Sequence, residues 1–98
     1  MPNRPSEVLD RNRENIRQIV ARHRTANPRI FGSTLRGTDT QASDLDIIVD
    51  LLPGATLFDL GGLHSELEEA LGVQVDLLTP GDLPRKYRDV VLQEAEPV

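Results

Sequence analysis

The 98-residue sequence contains no cysteine, no tryptophan and only three aromatic side chains, Phe31, Phe58 and Tyr87. The absence of cysteine excludes disulfides and thiolate metal sites, so any metal must bind oxygen or imidazole ligands. So few aromatic rings are a poor basis for stacking single-stranded nucleic acid. The net charge of -5 also disfavours direct binding to a nucleic-acid backbone, which requires clustered positive charge.

Long apolar runs are missing as well. No segment approaches the roughly 18 consecutive apolar residues of a membrane helix. Residues 1–10 are polar and contain no apolar core of a signal peptide. We therefore expect a cytoplasmic protein with no membrane association. The length predicts a single domain, residues 1–98, with one modest core.

Helical and extended patterns alternate along the chain, with proline or glycine at most boundaries. The patterns predict helices at 6–23, 34–36, 56–71 and 82–94, and strands at 29–31, 45–52 and 73–79. Ser6 and Thr56 are the predicted N-caps of the two long helices. The order α-β-α-β-α-β-α predicts an α/β fold, or α+β if the sheet is mixed, with three strands flanked by helices.

Three aspartates lie where burial would be costly. Asp44 and Asp46 share one face of the second strand, while Leu45 and Ile47 share the other. Two carboxylates at this spacing can converge on one hard cation, and without a cation they repel each other. Asp76 interrupts the apolar third strand, where an acid is expected to be paired or to bind a metal. If the two strands are neighbours, the three carboxylates together offer the oxygen ligands that Mg²⁺ prefers.

Gly32 and Ser33 follow the first strand. Glycine permits a turn and a close approach that other residues do not allow. If Thr34 opens a short helix, the amides at its start are suited to phosphate. Arg36 offers a guanidinium that either binds phosphate or pairs with a carboxylate of the site.

Each of these features has a plain structural interpretation when taken alone. Asp44 and Asp46 could be solvated acids at a strand entrance, and Asp76 could be an edge-strand acid that faces solvent. Asp39 and Asp50 are expected to face solvent or to cap a neighbour. The order Gly32-Ser33, Asp44-x-Asp46 and Asp76 favours instead a site for a metal-bound nucleoside triphosphate.

The runs FGSTLRG, from Phe31 to Gly37, and SDLDIIV, from Ser43 to Val49, resemble the minimal nucleotidyltransferases of the DNA-polymerase-β-like superfamily. That family's pattern is a Gly-Ser turn, an Arg-Gly, a short loop, Ser-Asp-x-Asp, and a later lone Asp on a strand. The resemblance extends over nearly the whole chain. Leu35 departs from it, since these proteins commonly carry alanine there.

The resemblance implies a small nucleotidyltransferase fold and an enzyme that transfers AMP from ATP with two Mg²⁺ ions. Asp44 and Asp46 would bind both ions, and Asp76 would bind the ion that activates the attacking hydroxyl. Gly32 and Ser33 would hold the β and γ phosphates.

The resemblance also implies a partner, because small members of this family are commonly antitoxins of HEPN-domain ribonuclease toxins. Such antitoxins attach AMP to a tyrosine hydroxyl of the toxin. A chain this short has little room for an acceptor pocket of its own, which also favours an acceptor on another protein. Two alternatives stay open: a non-catalytic antitoxin that acts by occlusion, and nucleotidyl transfer to a small molecule.

Overall fold

Helices and strands alternate along residues 3–98, which the computed structural model describes; the first two positions of the polar segment 1–10 lie outside the described residues. A 3₁₀ turn at Pro80–Asp82 precedes the last helix. The elements are α1 (Pro5–Ala21), β1 (Thr25–Ile30), α2 (Gly32–Arg36), β2 (Leu45–Leu51), α3 (Leu57–Leu71), β3 (Val75–Leu78), α4 (Arg88–Glu94) and β4 (Glu96–Pro97).

The strands form a mixed sheet in the order β3-β2-β1-β4. β2 and β3 are parallel, whereas β1 is antiparallel to both of its neighbours. The mixed sheet makes the fold α+β. The predicted count of three strands is wrong by one, because Glu96 and Pro97 pair with β1 at Ile30 and Arg29. A strand of two residues has no period that a sequence pattern could reveal.

The core lies between one face of the sheet and the helices α1 and α3, which contact each other and the strands. Leu45, Ile47 and Val49 of β2 are completely buried in this layer, as their alternation predicted. Ile48 is also completely buried but points to the opposite face, where β2 contacts the 3₁₀ turn. No helix within residues 3–98 is both long and apolar enough to cross a membrane. β2 is therefore buried along one face and at Ile48 on the other, and it lies between β3 and β1.

The start of α1 is capped from a distant loop. The predicted Ser6 cap is wrong, because the helix starts at Pro5 and Arg4 at the N-cap makes no side-chain capping bond. Instead, the Ser6 amide donates a 2.8 Å hydrogen bond to Oδ2 of Asp39, which is only 4% exposed. Burial alone would raise the pKa of Asp39, but the hydrogen bonds from Ser6 and the charge of Arg4 lower it below its ordinary value. Asp39 therefore ties α1 to the loop before β2.

Most boundaries lie within two residues of the predicted ones, but the starts of β1 and α4 differ by more. β1 begins earlier than predicted, at Thr25. Its pairing with β2 is interrupted by a bulge between Ala26 and Arg29, where Asn27 has a φ of 57°. The last helix begins later than predicted, at Arg88, because Leu83 is extended with ψ 139° in front of Pro84.

The predicted features of the second strand and third helix are confirmed. Thr56 and Asp59 form the capping box of α3, and Gly72 ends the helix in the left-handed conformation. The short helix predicted at 34–36 is present but begins two residues earlier, at Gly32, and Gly37 closes it.

Replacing Asp39 should destabilise the protein in a pH-dependent way. We expect Asp39→Ala to lower the free energy of unfolding by about 1–2 kcal/mol at pH 7, because the Ser6 amide loses its acceptor. Asp39→Asn should lose less, since its side-chain oxygen still accepts. The lowered pKa stabilises the fold above the ordinary pKa of 3.8, and this stabilisation is lost as the pH falls through the folded-state pKa.

Urea denaturation at pH 7 and at pH 3.5 measures this effect. Asp10→Ala, which replaces an exposed acid on α1, serves as the control and should change the stability little. Equal losses for Asp39→Ala and Asp10→Ala would contradict the capping role.

Candidate active site

Asp46 and Asp76 lie side by side on neighbouring parallel strands. They are register partners in the β2–β3 ladder, so both side chains leave the same face of the sheet. The expectation that the strand of Asp76 adjoins that of Asp46 is confirmed. The Phe31 amide donates a 3.2 Å hydrogen bond to the Asp46 carbonyl, which brings the chain after β1 against β2 at this point.

Gly32 makes this close approach possible. Its φ of 72° lies in the left-handed region that glycine adopts without strain. A Cβ atom at this position would overlap Oδ2 of Asp46 and lie 3.1 Å from its Cγ. The glycine is therefore required twice, once for its backbone conformation and once for the space that the Asp46 carboxylate occupies.

These residues open into a cleft of about 390 Å³. It is lined by Phe31, Gly32, Ser33, Leu35, Arg36, Asp46, Asp76, Val91 and Glu94. Every predicted site residue except Asp44 is in this set. Asp44 is exposed and lines a separate cleft of about 350 Å³, with Ser43 and Gly72 among its neighbours.

Phe31, Leu35, Val91 and Glu94 were missed by the sequence prediction. Phe31 and Leu35 lay inside the predicted motif but had been given no role. Val91 and Glu94 stand three residues apart on α4, which places them on one helix face. That spacing was the only sequence signal for them, and nothing in it indicated that the face meets the cleft.

The Asp46 carboxylate is held among like charges. Partial burial raises its pKa, the charges of Asp76 and Asp44 raise it further, and so does a side-chain hydrogen bond with Asp76. The positive charge of Arg36 opposes these effects, and the resulting pKa is about 6. At neutral pH the site therefore concentrates negative charge that a proton or a cation would stabilise.

The residues present fit a magnesium ion that binds together with a substrate. No group of three or more His, Cys, Asp or Glu side chains in residues 3–98 converges as a metal cage. Mg²⁺ is usually held by one or two carboxylates plus substrate phosphates rather than by an all-protein cage. Asp46 and Asp76 offer two hard oxygen ligands, and the charge of Asp44 adds to the same field. Asp46 and Asp76 are therefore the acids of this cleft that could hold the metal, while Asp44 lines the neighbouring cleft.

Arg36 lies in the last turn of α2, exposed at the wall of the cleft. It takes part in none of the ion pairs formed within the described part of the chain. Its guanidinium acts on Asp46 through its charge. Both roles considered for Arg36, phosphate binding and pairing with a site carboxylate, therefore stay predictions.

A second, more apolar groove of about 320 Å³ also borders Asp76. Its lining comes from α3 and β3 and includes Leu57, Leu60, His64 and Leu77. His64 is held by a 2.7 Å hydrogen bond between its Nε2 and the Val75 carbonyl. Asp76 thus borders both the cleft and this groove.

Exposed apolar side chains stand at the start of α3. Leu57 is 82% exposed and Phe58 is 92% exposed. Adjacent large apolar side chains with this exposure are typical of a surface that contacts another molecule.

Comparison with known proteins gives a consistent result. A family model described as a nucleotidyltransferase domain matches residues 13–97. Over 77 residues, 79% of this chain and 83% of the relative, the chain is 40% identical to MJ0435 of Methanocaldococcus jannaschii, named as a candidate protein adenylyltransferase. Over 65 residues, 66% of each chain, it is 37% identical to the protein adenylyltransferase MntA of Thermococcus cleftensis.

Two solved structures are also similar. A candidate minimal nucleotidyltransferase superposes with a TM-score of 0.85 at 40% identity, covering 95% of both chains. A chain in the crystal structure of a toxin–antitoxin with AMP-PNP superposes with a TM-score of 0.72 at 23% identity, covering 88% of this chain and 71% of that one. The first confirms the predicted fold, and the second shares the fold.

Two glycines have the same backbone conformation but different surroundings, so their alanine variants separate the effect of backbone strain from that of steric overlap. Gly32 and Gly37 both have φ 72°, but a Cβ at Gly37 would meet nothing within 4 Å. We expect Gly37→Ala to lower the free energy of unfolding by about 1 kcal/mol, through backbone strain alone. Gly32→Ala should lose at least about 2 kcal/mol, because the Asp46 carboxylate must also move. Urea denaturation measures both, and equal losses would contradict the contact with Asp46.

The raised pKa of Asp46 predicts a variant that is more stable than the parent. Because the folded-state pKa of about 6 exceeds the ordinary 3.8, this group stabilises the fold below pH 3.8 and loses that contribution as the pH rises through 6. With chelator at pH 8, Asp46→Asn should therefore be more stable by about 1 kcal/mol, a value reduced for solvent screening. The difference should vanish near pH 4. Thermal unfolding at both pH values measures it.

Asp50→Asn replaces an acid on the same strand and serves as the control, because it should change the stability in the opposite direction. Burial would raise the pKa of Asp50, but hydrogen bonds from Arg29 and Asn27 and the charge of Arg29 lower it. Its replacement should therefore destabilise the protein at pH 8. If Asp46→Asn behaved like Asp50→Asn, Asp46 would not be under repulsion.

Proposed function

This chain belongs to the nucleotidyltransferase domain family, and from that premise we propose that it transfers AMP from ATP to a hydroxyl of a partner protein. The observation that carries the proposal is the pair Asp46 and Asp76, set against Gly32 in a cleft that also contains Ser33 and Arg36. Two relatives of the chain are named as protein adenylyltransferases, one of them as a candidate.

The polar wall of the cleft is proposed to hold the triphosphate. Gly32 and Ser33 begin α2, where backbone amides not used within the helix can donate to the β and γ phosphates. The Ser33 hydroxyl adds a donor, and the Arg36 guanidinium supplies positive charge at the same wall. Together these groups would orient the triphosphate with its α phosphate toward Asp46 and Asp76.

The three aspartates are proposed to hold two magnesium ions. Asp44 and Asp46 would bind both ions, and Asp76 would bind the one nearest the acceptor hydroxyl. When bound, the ions stabilise the attacking and leaving oxygens of an in-line displacement. The mutual repulsion of these acids is relieved in that state, which supports the assignment.

The transfer step uses Asp76 as the proton acceptor. The acceptor oxygen forms a bond to the α phosphorus while the bond between the α phosphorus and the bridging oxygen breaks. The proton of the hydroxyl passes to the Asp76 carboxylate, and pyrophosphate leaves with its charge balanced in part by Arg36. Asp76 is exposed and borders both the cleft and the apolar groove, so a hydroxyl from a second molecule can reach it.

The proposed acceptor is a tyrosine hydroxyl of a HEPN-domain ribonuclease toxin, which makes this chain a cytoplasmic antitoxin acting as a single domain, residues 1–98. The family resemblance suggests this partner, and a fold neighbour comes from a toxin–antitoxin structure. Exposed Leu57 and Phe58 at the start of α3 support contact with a protein. The same exposed pair favours a second candidate, in which the chain neutralises its partner by occlusion without transfer.

Transfer and occlusion can be separated with a purified HEPN-domain toxin that forms a complex with this chain. With ATP and Mg²⁺, the wild-type chain should add adenylyl groups to the partner, detected by intact-protein mass spectrometry. Asp46→Asn and Asp76→Asn should each lower the rate by about 100-fold or more, because each removes charge that acts on the transition state. Asp50→Asn is the matched control, since it removes an acid of the same strand outside the cleft.

Complex formation is measured in parallel by size-exclusion chromatography. All the variants are expected to bind the partner, so a loss of transfer reflects the chemistry. An unmodified partner that Asp46→Asn still neutralises would overturn the enzymatic proposal in favour of occlusion.

A further inference from the structure

Glu94 lines the cleft and carries a carboxylate that has no partner within residues 3–98. It is the last residue of α4, it is exposed, and it lines the same cleft as Asp46 and Arg36. Within residues 3–98, no hydrogen bond or ion pair engages its side chain. A carboxylate is an acceptor only, so it is suited to an O–H, an N–H or a cation.

The position of Glu94 does not help the helix. The carboxyl-terminal end of a helix carries partial negative charge, so an acid in the last turn is unfavourable there. α4 has no basic residue in its last turn to offset the effect. Helix stability therefore does not explain the acid, whereas a ligand in the cleft would.

The charge of Glu94 determines which part of a nucleotide it can face. A carboxylate repels phosphates. The phosphates are therefore expected at Gly32, Ser33 and Arg36 of the same cleft, and Glu94 is left to face another part of the nucleotide. Phe31, Leu35 and Val91 give the cleft apolar surface, which suits the flat faces of a base and a sugar. The volume of about 390 Å³ lies in the range of small-molecule sites.

We propose that Glu94 selects the nucleoside of the donor nucleotide by accepting a hydrogen bond from a ribose hydroxyl or from the amino group of the base. This assignment rests on the proposed function and names the group that discriminates among nucleotides. A site that hydrogen-bonds a substrate group rejects analogues lacking that group, because the protein acceptor then loses its partner.

Binding of nucleotides with Mg²⁺ and without an acceptor tests the assignment by isothermal titration calorimetry. The probes are ATP and three analogues that each lack one donor: 2′-deoxy-ATP, 3′-deoxy-ATP and purine riboside triphosphate. The wild-type chain should bind ATP at least about 10-fold more tightly than one of these analogues, the loss expected for a hydrogen bond to a charged group. The analogue that loses affinity identifies the donor that Glu94 engages.

Variants of Glu94 test whether its side chain causes this preference for ATP. Glu94→Ala should weaken ATP binding by about 10-fold and leave the affinity for the rejected analogue unchanged, so the preference disappears. Glu94→Gln, which keeps an acceptor without the charge, should keep part of it. Glu96→Ala, an exposed acid outside the cleft, is the control and should leave the preference intact. Thermal unfolding should show Glu94→Gln as stable as the wild type or more stable, because an acid leaves the helix end.

The possible failures are distinguishable. If the wild type binds ATP and all three analogues equally, or if Glu94→Ala keeps the preference, the selection role is overturned while the proposed function stands. If the wild type binds no ATP in the presence of Mg²⁺, the proposed function fails, and this assignment fails with it.

Discussion

The Asp46 carboxylate is confined between two neighbours that leave it little freedom. Gly32 approaches so closely that no Cβ would fit, and Asp76 stands beside it on the adjacent strand. Asp46 cannot withdraw, because Leu45 and Ile47 on either side of it are completely buried. A partly buried charge beside like charges is costly in water alone, and a proton or a divalent cation relieves the cost. The fold thus favours the binding of a proton or a cation at Asp46.

The scaffold supplies the rigidity that such a site needs. The buried residues Leu45, Ile47 and Val49 fix the strand that carries Asp46, and the parallel ladder to β3 fixes Asp76 relative to it. Asp39 adds a tie between the loop before β2 and the start of α1. The buried residues and hydrogen bonds that stabilise the fold therefore lie close to the repelling carboxylates that destabilise it. Such an arrangement is common at functional sites. An exposed wall with Arg36 leaves the cleft open to an anion.

Much of this could be predicted from the sequence because it depends on local patterns. The alternation along β2 and the capping box at Thr56 both involve residues that are close together in the chain. What could not be predicted depends on distant contacts. β4 exists only because β1 offers it an edge, and the Asp39 cap requires a contact across 33 positions. Glu94 lines the cleft together with Gly32 and Asp46, which are distant from it in the chain, and no sequence spacing reveals this proximity.

The most direct test of the account is a pH titration of the aspartate carboxyl carbons by NMR in the metal-free protein. Asp46 is predicted to titrate at about 6, clearly above Asp50, whose pKa is lowered by its partner Arg29. Addition of Mg²⁺ with ATP should move the Asp46 titration to a much lower pH, because the cation stabilises the ionised form. An Asp46 that titrates in the ordinary carboxyl range and does not respond to Mg²⁺ and ATP would contradict the account.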